Sequence, residues 1–124
     1  MTFGQSGQRT VLLVDDDAML RSILAQALVG EGFAVVTAED GEQAWALASS
    51  LDGRLDLVVT DIRLPVMDGL ELAACLARLK HPPPTLFISG FARKVPGPLL
   101  SKPFGPTAFL EQVARMLTEV QPPS

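Results

Sequence analysis

The sequence predicts an α/β fold: a doubly wound five-stranded parallel sheet with helices on both faces. Three observations carry this. Short, continuously apolar runs alternate along the chain with segments whose apolar residues recur at helical spacing, the pattern of strands buried on both sides and helices packed over them. Gly- and Pro-bearing turns separate the segments. Charged or polar residues end or follow the apolar runs, among them Asp15, Asp61, Ser89 and Lys102, which gathers the chemistry at one edge of the sheet.

The polar, Gly-containing stretch 1–8 reads as a flexible arm, and the domain proper runs over 9–120. VLLV at 11–14 is the first strand. Leu20, Ile23, Leu24, Ala27 and Leu28 then mark a helix with Asp17 as its N-cap and Gly30 and Gly32 as stops. FAVVTA, 33–38, is the second strand, and Asp40-Gly41 reads as a turn. A second helical stripe holds Ala44, Leu47, Ala48 and Leu51, and LDLVVT, 55–60, is the third strand. After a Pro- and Gly-bearing loop, Leu72, Ala73, Leu76 and Leu79 mark a third helix, which Pro82, Pro83 and Pro84 bring to an end. TLFIS, 85–89, is the fourth strand and PLLS, 98–101, a short fifth. The last helix has Gly105 as N-cap, Pro106 as first residue, and Phe109, Leu110, Val113, Met116 and Leu117 on its buried face. Residues 121–124 read as a frayed tail.

With 124 residues, 48% hydrophobic and 19% charged, the chain has one domain's worth of core and an ordinary globular composition. Its net charge of −4 is carried without any basic cluster, which argues against nucleic acid or an anionic membrane as partner. The single Cys75 forms no internal disulfide and no apolar stretch is long enough for a signal or a span, so a cytoplasmic location is expected.

In an open α/β sheet, ligands bind outside the carboxyl ends of the strands, and those are the positions to read for chemistry. Asp15, Asp16 and Asp17 follow the first strand and Asp61 the third. Carboxylates gathered at one edge raise each other's pKa unless a cation neutralises them. A hard divalent ion such as Mg²⁺ suits such a set, because it takes one or two carboxylates and leaves room for phosphate oxygens. Lys102 then holds a phosphoryl oxygen as a point charge, Ser89 donates a hydrogen bond to another, and Asp61 is the nucleophile that forms an aspartyl phosphate.

The ordered set VLLVDDD, DLVVTDIRLPVMDG, FISG and LLSKPF resembles the receiver domain of two-component response regulators, with the flavodoxin-like or CheY-like fold and strand order 2-1-3-4-5. The resemblance covers roughly residues 9–120. It implies that Asp61 is the phospho-acceptor, that Asp15 and Asp16 organise Mg²⁺ with Asp16 the direct ligand, and that the backbone carbonyl of Arg63 is a further metal contact. It also implies that the Ser89 hydroxyl moves onto the phosphoryl group and that Lys102 precedes a cis Pro103, while Pro65 and Met67-Asp68-Gly69 fit the loop after the phosphorylated strand. The implied donor is a sensor histidine kinase or histidine phosphotransfer protein. Self-phosphorylation from a phosphodonor and autodephosphorylation are expected rather than conventional turnover. With no output domain after the last helix, output passes to a downstream protein partner or onward by phosphotransfer.

Two departures from that family stand out. Between the fourth and fifth strands lie only residues 90–98, GFARKVPGP, whereas a parallel crossover normally takes about a dozen residues or more. If Ser89 and Lys102 are both to reach the phosphoryl site, the two strands are neighbours and the fourth helix is truncated or replaced by a loop, with at most one turn around Phe91–Val95. Three residues before the lysine, where receivers often carry an aromatic, stands Leu99. Either Leu99 moves as a smaller substitute, or Phe91 takes that role, or phosphorylation orders residues 90–98; the last is the hypothesis preferred here. Since the fourth helix belongs to the face many receivers use to dimerise, the usual dimer is not carried over, and a monomer or weak dimer is expected.

Other residues have plainer readings. Asp17 is a helix cap. His81 is a solvated residue at a helix end, Cys75 a small packed or half-exposed one, and Trp45 partly buried. Arg63 is either merely exposed or covers the phosphoryl group. Three competing functions remain: a receiver-like binding module that no longer switches; a phosphatase of the haloacid-dehalogenase type with the phosphate on Asp15 and Asp17 nearby; and a flavodoxin-like FMN protein. The last lacks a Ser/Thr/Gly-rich phosphate loop after the first strand.

Overall fold

The computed structural model describes residues 8–91 and 94–119. Most of the expected flexible arm, the tail 121–124, and two of the five positions of the suggested turn around Phe91–Val95 lie outside the described residues. Five strands, β1 (Thr10–Val14), β2 (Ala34–Ala38), β3 (Leu57–Asp61), β4 (Thr85–Ser89) and β5 (Leu99–Ser101), form one sheet in the order β2-β1-β3-β4-β5. Every pairing is parallel, with Val14 opposite Thr60, Asp61 opposite Ile88, and Ser89 opposite Ser101. Among the described residues there are four helices: α1 (Ala18–Gly30), α2 (Gly41–Ser50), α3 (Gly69–Leu76) and α4 (Pro106–Glu119).

The unbroken apolar runs are explained by burial on two sides. Along β1, Val11 and Leu13 pack into one cluster with Leu24 and Leu28 of α1 and Phe109, Val113 and Met116 of α4. Leu12 and Val14 point the other way, against Ala44 and Ala48 of α2 and Leu72 and Leu76 of α3. The alanines of α2 let that helix lie close to the sheet.

The helix stripes hold with two corrections: α3 stops at Leu76 with Ala77 as its C-cap, so Leu79 lies beyond the helix and the prolines do not end it, and one residue of the α1 stripe faces outward. Leu24 and Leu28 are fully buried and Leu20 packs against them, but Ile23 is 46% exposed. It sits one residue, about 100° of turn, from Leu24 and so falls off the inward face. Asp17 caps α1 by accepting from the Met19 and Leu20 amides, and Gly105 offers its carbonyl to the Phe109 amide at the start of α4. Asp40-Gly41 is not a free turn: Asp40 is the N-cap of α2, accepting from the Gln43 amide at 2.7 Å, and Gly41 is the first helical residue.

β4 and β5 are neighbours despite the short connection, and among the described residues no helix lies between them. Pro98 instead feeds straight into the ladder, its carbonyl accepting from the Phe87 amide at 2.9 Å. No described helix is long and apolar enough to cross a membrane.

Candidate functional site

The carboxyl ends of β1, β3, β4 and β5 converge because the strand order sets β3 between β1 and β4. Asp15 continues β1, its amide donating to the Ala38 carbonyl, so its side chain is carried under the loops and is fully buried. Asp61, the last residue of β3, is 8% exposed. Asp16 lies in the open beside them, and one oxygen from each of the three carboxylates falls within 4.8 Å of the others.

Lys102 reaches this cluster from the end of β5. Its amide donates to the Ser89 carbonyl at 2.7 Å, which fixes the backbone, and its bond to Pro103 is cis. The ammonium Nζ stands 2.8 Å from Asp61 Oδ2 and 3.6 Å from Asp15 Oδ2. The first is a charge-assisted hydrogen bond; the second is too long for one. Asp15 Oδ1 accepts from the Asp17 amide at 2.9 Å, and Asp15 Oδ2 is left as a buried oxygen without a hydrogen-bond partner.

Burial pushes the Asp15 carboxyl above the ordinary carboxylate range; the Asp17 amide and the Lys102 charge oppose this, while Asp61 and Asp16 add to it. For Lys102, burial acts downward, but its hydrogen bond to Asp61 and the charges of Asp15 and Asp61 outweigh it, and its pKa is raised.

An orphaned oxygen in an oxygen-only donor set is what a hard divalent cation relieves, so the residues present fit Mg²⁺.

Ser89, 3% exposed, ends β4 on the strand next to Asp61, and its Oγ accepts from the Phe91 amide at 3.1 Å. Arg63 is exposed, as one of its two readings has it, and its guanidinium lies 4.5 Å from the centre of the Phe91 ring, while its amide donates to Asp61 Oδ1 at 3.3 Å. Nothing in the spacing of Arg63 and Phe91 along the sequence signals that the two loops meet.

The β3–α3 loop is drawn in tightly. A Cβ at Gly69 would overlap the Asp61 carbonyl, and one at Gly41 would overlap the Met67 carbonyl. Asp68 caps α3 in a reciprocal capping box with Glu71, a signal legible as D-x-x-E. Val66 holds φ 70° between Pro65 and Met67, and the Met67 amide closes onto the Pro65 carbonyl at 2.8 Å, a γ-turn in its rare strained form.

The similarities to known proteins agree with this arrangement. The chain is 35% identical to the sensor kinase CckA of Brucella abortus over 93% of its own length, and spans 13% of that kinase. The crystal structure of the receiver domain of a hybrid histidine kinase CckA superposes with a TM-score of 0.80 at 31% identity, covering 87% of this chain and 98% of that domain. CheY of Borrelia burgdorferi, in a complex with CheX, BeF₃ and Mg²⁺, gives a TM-score of 0.79 at 26% identity over 87% of this chain and 88% of that one. Residues 11–96 match the family described as the response regulator receiver domain, and with the five-stranded order and the site above, the chain belongs to that family.

Proposed function

We propose that the chain is a phospho-accepting receiver in two-component signalling, with Asp61 as acceptor and a phosphohistidine of a sensor kinase or phosphotransfer protein as donor. The observation that carries this is the Asp61 carboxylate held at 2.8 Å by Lys102 within a cluster of three carboxylates, one of whose oxygens is buried without a hydrogen bond. In the transfer, an Asp61 oxygen forms a bond to phosphorus as the phosphorus–nitrogen bond breaks, and the donor imidazole leaves with the electron pair. Lys102 orients the nucleophile through Oδ2 and afterwards stands within reach of a phosphoryl oxygen; Ser89 donates its hydroxyl proton to another. Asp15, Asp16, Asp61 and the Arg63 carbonyl hold Mg²⁺, which when bound neutralises charge on the phosphoryl oxygens. The presence of BeF₃ and Mg²⁺ in the complex that contains the related Borrelia protein supports that assignment.

Exposed Met19 and Ile23 flank the site together with Pro103 and Phe104, an apolar margin suited to a docking phosphodonor protein. Output starts from Ser89 and Arg63. Both touch Phe91 at the start of the short crossover, so a phosphoryl group that engages either one is felt by the segment proposed to become ordered. The downstream partner is a protein. The phosphatase alternative is disfavoured because the Asp17 carboxylate is committed to capping α1.

The test is intact mass after incubation with acetyl phosphate, with and without Mg²⁺. One added phosphoryl group, dependent on Mg²⁺ and absent in Asp61→Ala, is the expected result; a gain that survives Asp61→Ala moves the phosphate to Asp15, and no gain leaves a non-switching module. Amide exchange at residues 94–98 that is unchanged by phosphorylation would sink the ordering step alone.

A further inference from the structure

Where a crossover helix would lie, and among the described residues none does, a groove opens on the α2–α3 face of the sheet, running along α3 from Leu70 to the prolines before β4. Its volume is about 610 Å³, and it lies between α3 and the Pro96–Pro98 segment. Phe87 of β4 forms its floor, Leu70, Ala73, Ala74 and Leu76 of α3 with Ala77 at its C-cap one wall, and Gly97 and Met116 the other side. Gly97 rests against the Phe87 ring, with space for a Cβ only at 3.4 Å from the ring edge. Among the lining residues only Thr85 has a polar side chain, so a polar small ligand would find almost nothing to bind there.

A helix is the shape this space was left by. A parallel sheet is covered by helices on both faces, and here α2 and α3 serve one face with a loop standing where a further helix would complete the layer. Three of the five residues on this wall are alanines, two of them exposed, which permits a helix axis to approach to about 8–10 Å.

Charge narrows the occupant. Within two residues of the lining in sequence, the exposed charged residues are the basic Arg78, Lys80, Lys94 and Arg115 and the single acidic Glu71, in a chain of net charge −4. Among the described residues none of the four basic ones is in a salt bridge. Two carboxylates stand nearby, Asp52 accepting from the Lys80 and His81 amides and Glu71 from the Asp68 amide; both keep their charge, so the rim is basic by four groups to two.

We propose that this groove is a docking slot for an amphipathic helix of a partner protein, with an apolar stripe that enters the slot and acidic flanks that meet the basic rim. The helix completes in trans the layer that the short crossover leaves open.

The test uses two synthetic helical peptides with the same leucine stripe, one flanked by Glu and one by Lys, titrated into the ¹⁵N-labelled full chain. The Glu peptide is expected to give saturable shifts at Ala74, Ala77, Phe87 and Gly97 and to bind about tenfold more tightly than its Lys twin, the effect of a few exposed charge pairs. Arg78→Glu with Lys94→Glu reverses the preference, and Ala74→Gln, on the exposed face of α3, weakens both peptides while the thermal midpoint holds. Equal affinity for the two peptides, or no saturable shift, overturns the proposal. So does a dimer in sedimentation that Ala74→Gln dissolves, which makes a second copy the occupant, or a contact between Val120 and Phe87 in the free chain, which makes it the chain's own tail. No phosphoryl group is needed, so failure here leaves the role of Asp61 untouched.

Discussion

The two edges of the sheet use aspartate in opposite ways. At the amino edge, Asp56 accepts the Thr10 amide at 2.8 Å, and Asp52 accepts the amides of Lys80 and His81 at 3.0 Å each. These carboxylates tie loops to strands and stay near water. At the carboxyl edge, Asp15 and Asp61 are buried facing one another with one ammonium between them, and Asp15 keeps an oxygen with no hydrogen bond. Backbone follows the same division: the positive-φ positions of the amino edge, at 96° and 88°, are glycines, Gly32 and Gly53, whereas that of the carboxyl edge is Val66. One edge is built for stability, and the other holds cost in place for chemistry.

The sharpest way to break the carboxyl edge is Gly69→Ala. The new Cβ meets the Asp61 carbonyl, which is backbone and cannot rotate away, so a loss of about 3 kcal/mol or more is expected. Gly30→Ala, with open space around it at the end of α1, is the control and should be neutral or gain about 0.5–1 kcal/mol. Urea melts of the two variants separate these outcomes, and a mild Gly69→Ala would show that the β3–α3 loop is looser than drawn.

Next comes the ion cluster. Lys102→Met leaves two carboxylates facing each other and should cost about 2 kcal/mol, less than for a fully buried pair because the lysine side chain is 26% exposed. Asp15→Asn should act in the opposite direction in EDTA. The sign follows from burial: a carboxyl whose folded pKa is raised contributes stability that is full below its unfolded value and is lost as pH rises through the folded pKa. The Asn variant is therefore level with the wild type near pH 4 and increasingly more stable toward neutrality, read from thermal midpoints across that range. Mg²⁺ should close the gap by stabilising the wild type alone, by about 2.7 kcal/mol at a hundredfold excess over its Kd. A gap that does not vary with pH would mean that Asp15 is not held at a cost.

At the amino edge, Asp56→Ala and Asp52→Ala should each lose about 1–2 kcal/mol with no response to Mg²⁺, since each removes only hydrogen bonds to backbone. A Mg²⁺-dependent change in either would erase the distinction between the edges.

The division was partly legible in the sequence. Asp15, Asp16, Asp61, Ser89 and Lys102 could be placed because a strand's end is marked by where its apolar run stops, and strand ends share an edge in a parallel sheet. The adjacency of β4 and β5 followed from requiring Ser89 and Lys102 at one site. What spacing could not show depends on how loops fold back on one another: the Arg63 guanidinium over Phe91, the closeness of Gly41 to Met67, and the groove left open beside α3. Asp40 was misread because D-G marks a turn and a helix start equally well, and only the Gln43 amide distinguishes them.

The smallest effect tests whether strain at the carboxyl edge is real. Val66 is 75% exposed, so replacing it removes little packing. Its φ of 70° sets a β-branched side chain against its own backbone, a conformation that asparagine tolerates far better. Val66→Asn should therefore stabilise the chain by about 1 kcal/mol, seen as a higher denaturation midpoint at unchanged slope. If the gain appears and phosphoryl uptake from acetyl phosphate is unaltered, the valine is not needed for chemistry, and its exposed side chain becomes part of the surface a partner meets beside Asp61. If uptake falls as stability rises, the strain itself positions the loop that carries Arg63.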